Sequence, residues 1–158
     1  MSAFRASVVL IALAGLSAAA YATPPQPVAK DHPIVGRWII SLPDGSCDET
    51  YTIRADGTTL VTSGDEIAES VYEISAKPSA AGFYKWTDKL VKDNGKKDCS
   101  GEITKVGQTT VNFVQFHPSG DVFIMCAQEN FDACIGPFKR VHGPVSYTHL
   151  TLPTKRIV

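Results

Sequence analysis

The chain holds four histidines in 158 residues, and none has a second His or a Cys at the spacing that metal ligands use. It contains no G-x-S-x-G, no H-E-x-x-H, no phosphate-binding P-loop and no dinucleotide fingerprint. Each absence removes a class of chemistry: activated nucleophiles, a catalytic or structural metal, a bound nucleotide. The expectation is a protein that is not an enzyme and carries no cofactor and no metal. No run of Lys and Arg interleaves with aromatics, so no nucleic-acid groove is expected either. Past the N-terminal segment no apolar stretch is long enough to cross a bilayer as a helix. Helical spacing is scarce as well. Only "GDEIAESVYEISA", residues 64 to 76, could set Ile67, Val71 and Ile74 on a helix face, and its β-forming Val71, Tyr72 and Ile74 favour a strand.

What is present begins with an export signature. Arg5 precedes an apolar run from Val8 to Leu16 and a small-residue stretch ending Ala20-Tyr21-Ala22, the three parts of a secretory signal peptide. Residues 1 to 22 are expected to be removed, leaving a secreted or periplasmic chain that starts near Thr23. At the other end "VSYTHLTLPT", residues 145 to 154, resembles one reading frame of a transposase adapter used in sequencing libraries. Residues 144 to 158 are therefore read as non-native, and Tyr147, His149, Lys155 and Arg156 carry no functional expectation. Arg5, Lys155 and Arg156 lie outside the remaining stretch, so fifteen Lys and Arg fall to twelve against sixteen Asp and Glu. A net charge of 12 − 16 = −4 argues against phosphate partners.

The Pro-rich "TPPQPVAKDHP", residues 23 to 33, reads as an extended arm or linker, followed by one domain over residues 34 to 143. Short β-like runs then alternate with the turn pairs Asp44-Gly45, Asp56-Gly57, Ser63-Gly64, Asn94-Gly95 and Ser119-Gly120. Strands are expected at about 34–42, 47–54, 58–63, 67–76, 82–91, 99–105, 109–116, 121–126 and 135–141. The fold class is all-β, an antiparallel up-and-down barrel of about eight strands. Nine segments cannot close as a fully antiparallel barrel, so one of them is surplus, lies outside, or brings two ends together in parallel.

Four cysteines in an exported chain predict two disulfides. If strands alternate up and down, Cys47 and Cys99 open the second and sixth strands at one end, and Cys126 and Cys134 bracket a loop at the other. Cys47–Cys99 and Cys126–Cys134 are then the pairs that join neighbours.

Alternation also sorts the side chains. Tyr84, Trp86 and Leu90 share a face with Asp88 between them; Trp38 and Ile40 align, as do Tyr72 and Ile74. The face of Cys47, Tyr51 and Ile53 includes Glu49, a carboxylate where a half-buried strand turns toward its core; it supports a ligand role only if it is inside, the other reading being that Glu49 and Asp88 both lie near strand ends in water. Trp38, Glu49, Tyr51, Tyr72, Tyr84, Trp86 and Asp88 are the candidates for lining a cavity that is apolar with a few fixed polar groups. The pairs Asp48/Glu49, Asp65/Glu66 and Asp93/Asp98 lie beside Gly-rich turns, where turn chemistry accounts for acids without a site. His32, His117 and His142 fall in arm, turn and terminal positions and are read as solvated. Residues 109 to 126 are apolar on both faces and are expected to be covered on both sides.

Gly36-Arg37-Trp38 at the head of the first strand, with Arg140 in the last, resembles the G-x-W start and terminal basic residue of the lipocalin and wider calycin families. The resemblance implies a β-barrel that holds a small, partly apolar molecule. It also implies roles for Gly36, Trp38 and Arg140, the guanidinium capping the indole, with Lys139 as a second candidate for the cap. The same G-x-W, with nearby Cys47 and the arm before Pro33, is similar to exported bacterial inhibitors of metalloproteases. That likeness implies a protein partner bound through Thr23 to His32. A structural envelope protein is the third reading.

Overall fold

The computed structural model describes residues 25–143. The signal-peptide and adapter-like segments lie outside them. Eight strands follow one another: β1 Gly36–Ser41, β2 Asp48–Ile53, β3 Thr58–Ser63, β4 Glu66–Ile74, β5 Tyr84–Asp93, β6 Thr109–Phe116, β7 Val122–Cys126 and β8 Cys134–Arg140. Each pairs antiparallel with its neighbours in chain order, and β1 pairs with β8 to close the barrel. This all-β architecture with two disulfides fits a calycin-like fold.

The surplus segment is 99–105, which forms no strand. Its backbone is drawn into a turn by Asp98, whose Oδ1 accepts the N–H groups of Ser100 and Glu102, both at 2.9 Å. Gly101 N–H also donates to the Asp98 carbonyl. A side chain that offers the backbone such partners competes directly with a ladder. The segment instead belongs to a long β5–β6 connection, residues 94 to 108.

Losing that strand shifts the parity of everything after it. Cys47–Cys99 and Cys126–Cys134 form as paired, but both sit at the same end of the barrel, with the β1–β2, β3–β4, β5–β6 and β7–β8 connections. By loop closure the larger ring contributes about 4 kcal/mol and the smaller about 2.5 kcal/mol.

The opposite end is shut by the arm. Val28 N–H donates to Ala55 O at 2.8 Å, tying the arm to the β2–β3 turn. Ile34 is fully buried, and Trp38 Nε1–H donates to its carbonyl at 2.8 Å. Arg140 lies over the Trp38 ring at 4.1 Å. Its Nη1 donates to Val35 O and its Nη2 to Pro33 O and Gly120 O, so one guanidinium joins arm, β8 and the β6–β7 turn. Gly36, at φ +143°, leaves room for this, because a Cβ there would collide with Arg140 Nη1. Lys139, one residue away, points outward and is exposed.

His32 corrects the reading of a solvated arm histidine, for it is only 6% exposed. Ile34 N–H donates to its Nδ1, which leaves Nε2 to donate to Ser75 O at 3.2 Å. The ring meets Tyr84 edge-on, centroids 5.0 Å apart. The arm could not pass beneath the barrel without carrying this ring inside.

Above the arm, Trp38, Phe123 and Phe138 pack in sequence; Phe123 meets Trp38 edge-on and stacks on Phe138. With Ile34, Ile53, Tyr72, Trp86 and Val114 they form the core. On the outside, β6 is covered only in part. Phe83 is buried against Phe131, whereas Val111 remains 45% exposed.

Candidate functional site

Strand alternation sends Glu49 inward beside Ile40 and Ser63, its cross-strand partners. Both its oxygens are occupied. Tyr51 Oη–H donates to Oε2 at 2.8 Å and Ser63 Oγ–H to Oε1 at 2.7 Å. Ser63 in turn accepts the N–H of Cys99 at 2.9 Å. Glu49 is therefore a half-buried acid with its partners built in, linking β2 and β3 to the disulfide-held β5–β6 connection. It also holds Tyr51 in place, and burial together with the Glu49 charge pushes the Tyr51 hydroxyl well above its ordinary pKa.

Between this network and the aromatic core the barrel is hollow. A cavity of about 210 Å³ opens at the disulfide end. Tyr51, Trp86 and Met125 form the boundary, belonging at once to the cavity wall and to the packing of the closed half. The wall above them is made by β3 to β6, and Thr104 and Gln108 from the β5–β6 connection reach its rim.

Three polar groups are buried on that wall, the Thr59 hydroxyl, the Glu66 carboxyl and the Trp86 indole N–H; among the described residues the first and last have no hydrogen-bond partner, and the carboxyl pairs with that of Asp93. Their residues are 1%, 5% and 3% exposed. Buried polar atoms are nearly always paired, and one left alone costs about 1–3 kcal/mol. The wall also carries Asp88, opposite Thr110 on β6. Burial raises its pKa from 3.8 to about 6, against the pull of a hydrogen bond from Ser70. Glu66 is raised by burial too, and further by the neighbouring Asp93 carboxyl, while the Thr104 hydroxyl works in the opposite direction.

Of the seven sequence candidates, Tyr51, Trp86 and Asp88 lie on the cavity wall. Trp38 and Tyr72 fill the closed half, Tyr84 packs against His32 and Phe116 near the arm, and Glu49 is held in its own network. Glu66, Thr59, Ser70 and Thr104 are on the wall but were not among the candidates. The signal for Glu66 was available in the parity of β4: Tyr72, Ser70, Ala68 and Glu66 share a face. Placing the strand start at residue 67 assigned that acid to a turn.

A second crevice of about 340 Å³ lies where the arm crosses β4, lined by Val28, His32, Glu73 and Ile74 among others. None of the unpartnered buried atoms faces it. No group of three or more His, Cys, Asp or Glu is arranged for a metal among the described residues. No protein-family model, curated protein or solved structure matches the chain.

Proposed function

We propose that this is an exported, lipocalin-like, non-catalytic binding protein that holds a small, partly apolar molecule in the open half of its barrel. The observation that carries this reading is the coincidence of a hollow with unpaired buried groups. The wall combines the apolar Val61, Ala68, Leu90, Trp86 and Met125 with hydroxyl, amide and carboxyl side chains, and its unpaired atoms, Thr59 Oγ1 and Trp86 Nε1, supply both acceptor and donor capacity. Fixed polar groups of this kind set a small molecule's orientation in its site. Two disulfides at the mouth keep the wall in place without a ligand, and a preorganised site binds at a lower entropic cost.

The alternative of a free arm that enters a protease has less support, since Val28 to Ile34 are tied by hydrogen bonds to the closed end. The test is native mass spectrometry of the protein purified from its own cell envelope or medium. A co-purifying small molecule, lost from a variant whose cavity is filled by Ala68→Leu, is the expected result. A wild-type spectrum free of adducts, together with no change in tryptophan emission across a small-molecule library, would overturn the reading.

A further inference from the structure

Resting on the lumen as a binding site, we propose that its occupant is a small organic cation, a compact apolar body bearing one protonated amine that ion-pairs with Asp88.

The sign of the charge comes from the wall. Its lining includes two acids, Glu66 and Asp88, and no Lys, Arg or His. The groups facing Asp88 are Ser70 and Tyr72 from β4, Trp86 and Leu90 on its own strand, Thr110 and Asn112 from β6, and Tyr51 from β2. Among the described residues the further charged groups around the lumen are Glu49, Glu66, Asp93 and Asp98, all acids. None brings a positive charge. Among the described residues the guanidinium turned into the barrel is that of Arg140, which is engaged over Trp38 at the other end. Ion pairs among the described residues involve Lys92, Arg140 and His142, none of which lines the cavity.

A cation is the occupant that such a wall favours. An anion would meet two carboxylates in a partly desolvated space, and a neutral molecule would leave the Asp88 charge without a counter-ion. An ammonium offers three donors to a wall that carries the Asp88 carboxylate and the unpaired acceptor Thr59 Oγ1. Trp86 and Tyr51 bound the cavity with aromatic rings, which attract cations through their faces. The orphaned Trp86 Nε1–H leaves a place for an oxygen on the ligand. Size follows from volume: a cavity of about 150 Å³ takes benzene, so the lumen accommodates roughly eight to ten non-hydrogen atoms.

Three probes of about that size separate charge from shape: phenethylamine, 2-phenylethanol and phenylacetate. Titrated into the disulfide-bonded protein by calorimetry at about pH 7.5, the amine should bind at least about tenfold more tightly than the alcohol, and the carboxylate should not bind. The amine's advantage should shrink as the pH falls through about 6, where Asp88 takes up its proton. Asp88→Asn should bind amine and alcohol alike, and circular dichroism would confirm that it is folded. Equal affinity of amine and alcohol in the wild type would overturn the cation and leave the lumen site standing. Binding of none of the three, with tryptophan emission unmoved, would remove both.

Discussion

The two ends of this barrel are built from the same eight strands and follow opposite rules. At the arm end nearly every polar group is paired: Trp38 with Ile34, Tyr72 with the Arg54 carbonyl, His32 with Ser75 and Ile34, Arg140 with three carbonyls. Around the hollow above it two wall atoms, Thr59 Oγ1 and Trp86 Nε1, are unpaired, and an acid stands with its pKa raised to about 6. One half is packed for stability, and the other accepts a cost in stability and is held together by covalent links. Proteins concentrate such costs where a ligand is bound.

That contrast can be tested by its largest effects first. Trp38→Ala removes the fully buried centre of the packed half and should lower stability by about 3–5 kcal/mol in urea unfolding; a loss under about 1 kcal/mol would mean that this half is not the stabilising one. Replacing Cys47 and Cys99 together with serine opens the ring that pins the rim. A loss of about 2–4 kcal/mol is expected, with limited proteolysis newly cutting within residues 94 to 108. An unchanged cleavage pattern would show that the rim is held by other contacts.

Substitutions in the open half should act in the opposite direction. Asp88 has a folded pKa raised from 3.8 to about 6, so the folded state binds its proton more tightly than the unfolded chain. The penalty is absent below the lower value, grows between the two and is complete at neutral pH. Asp88→Asn should therefore be more stable than wild type by about 1–3 kcal/mol at pH 7 and no more stable near pH 4. A variant that is less stable at neutral pH would mean that the Ser70 hydrogen bond outweighs the cost of burying the charge. Thr59→Val, which removes a buried unpartnered hydroxyl at constant shape, should gain about 1 kcal/mol in the same assay.

The smallest effect separates the two ends by pH alone. Burial lowers the pKa of His32, outweighing the Ser75 hydrogen bond. The folded state then binds this proton less readily than the unfolded chain, and stability from His32 is lost as the pH falls below the ordinary histidine value of 6.5. Acidification thus weakens the arm end while it relieves the open end. Ring carbon shifts of His32 followed by NMR should show a midpoint below 6.5, and a midpoint above it would contradict the burial.

Some of this was legible without coordinates. Turn pairs and alternation place all eight strands within about two residues of where they form, because those signals are local. They also put Glu49, Tyr51, Trp86 and Asp88 on the same faces as their strands' apolar residues, but left open whether the two acids lie inside or in water near strand ends; the register and the hydrogen bonds turn them inward. The difference at 99–105 is local too: a strand is expected there, but Asp98 and Gly101 make a turn, and turn chemistry prevails. A single miscounted strand then sent the second disulfide to the wrong end, since every later direction depends on the count.

From the order of residues alone came the all-β class, the two cysteine pairs and the parity of each strand, all of which depend on near neighbours or on chain direction. Only the folded molecule could decide which inward side chains meet. Whether Glu49 meets Ser63, whether His32 is buried, and whether Thr59 and Trp86 are left without partners depend on atoms far apart in the chain. Burial and hydrogen-bond pairing arise when the barrel closes, and periodicity does not encode them.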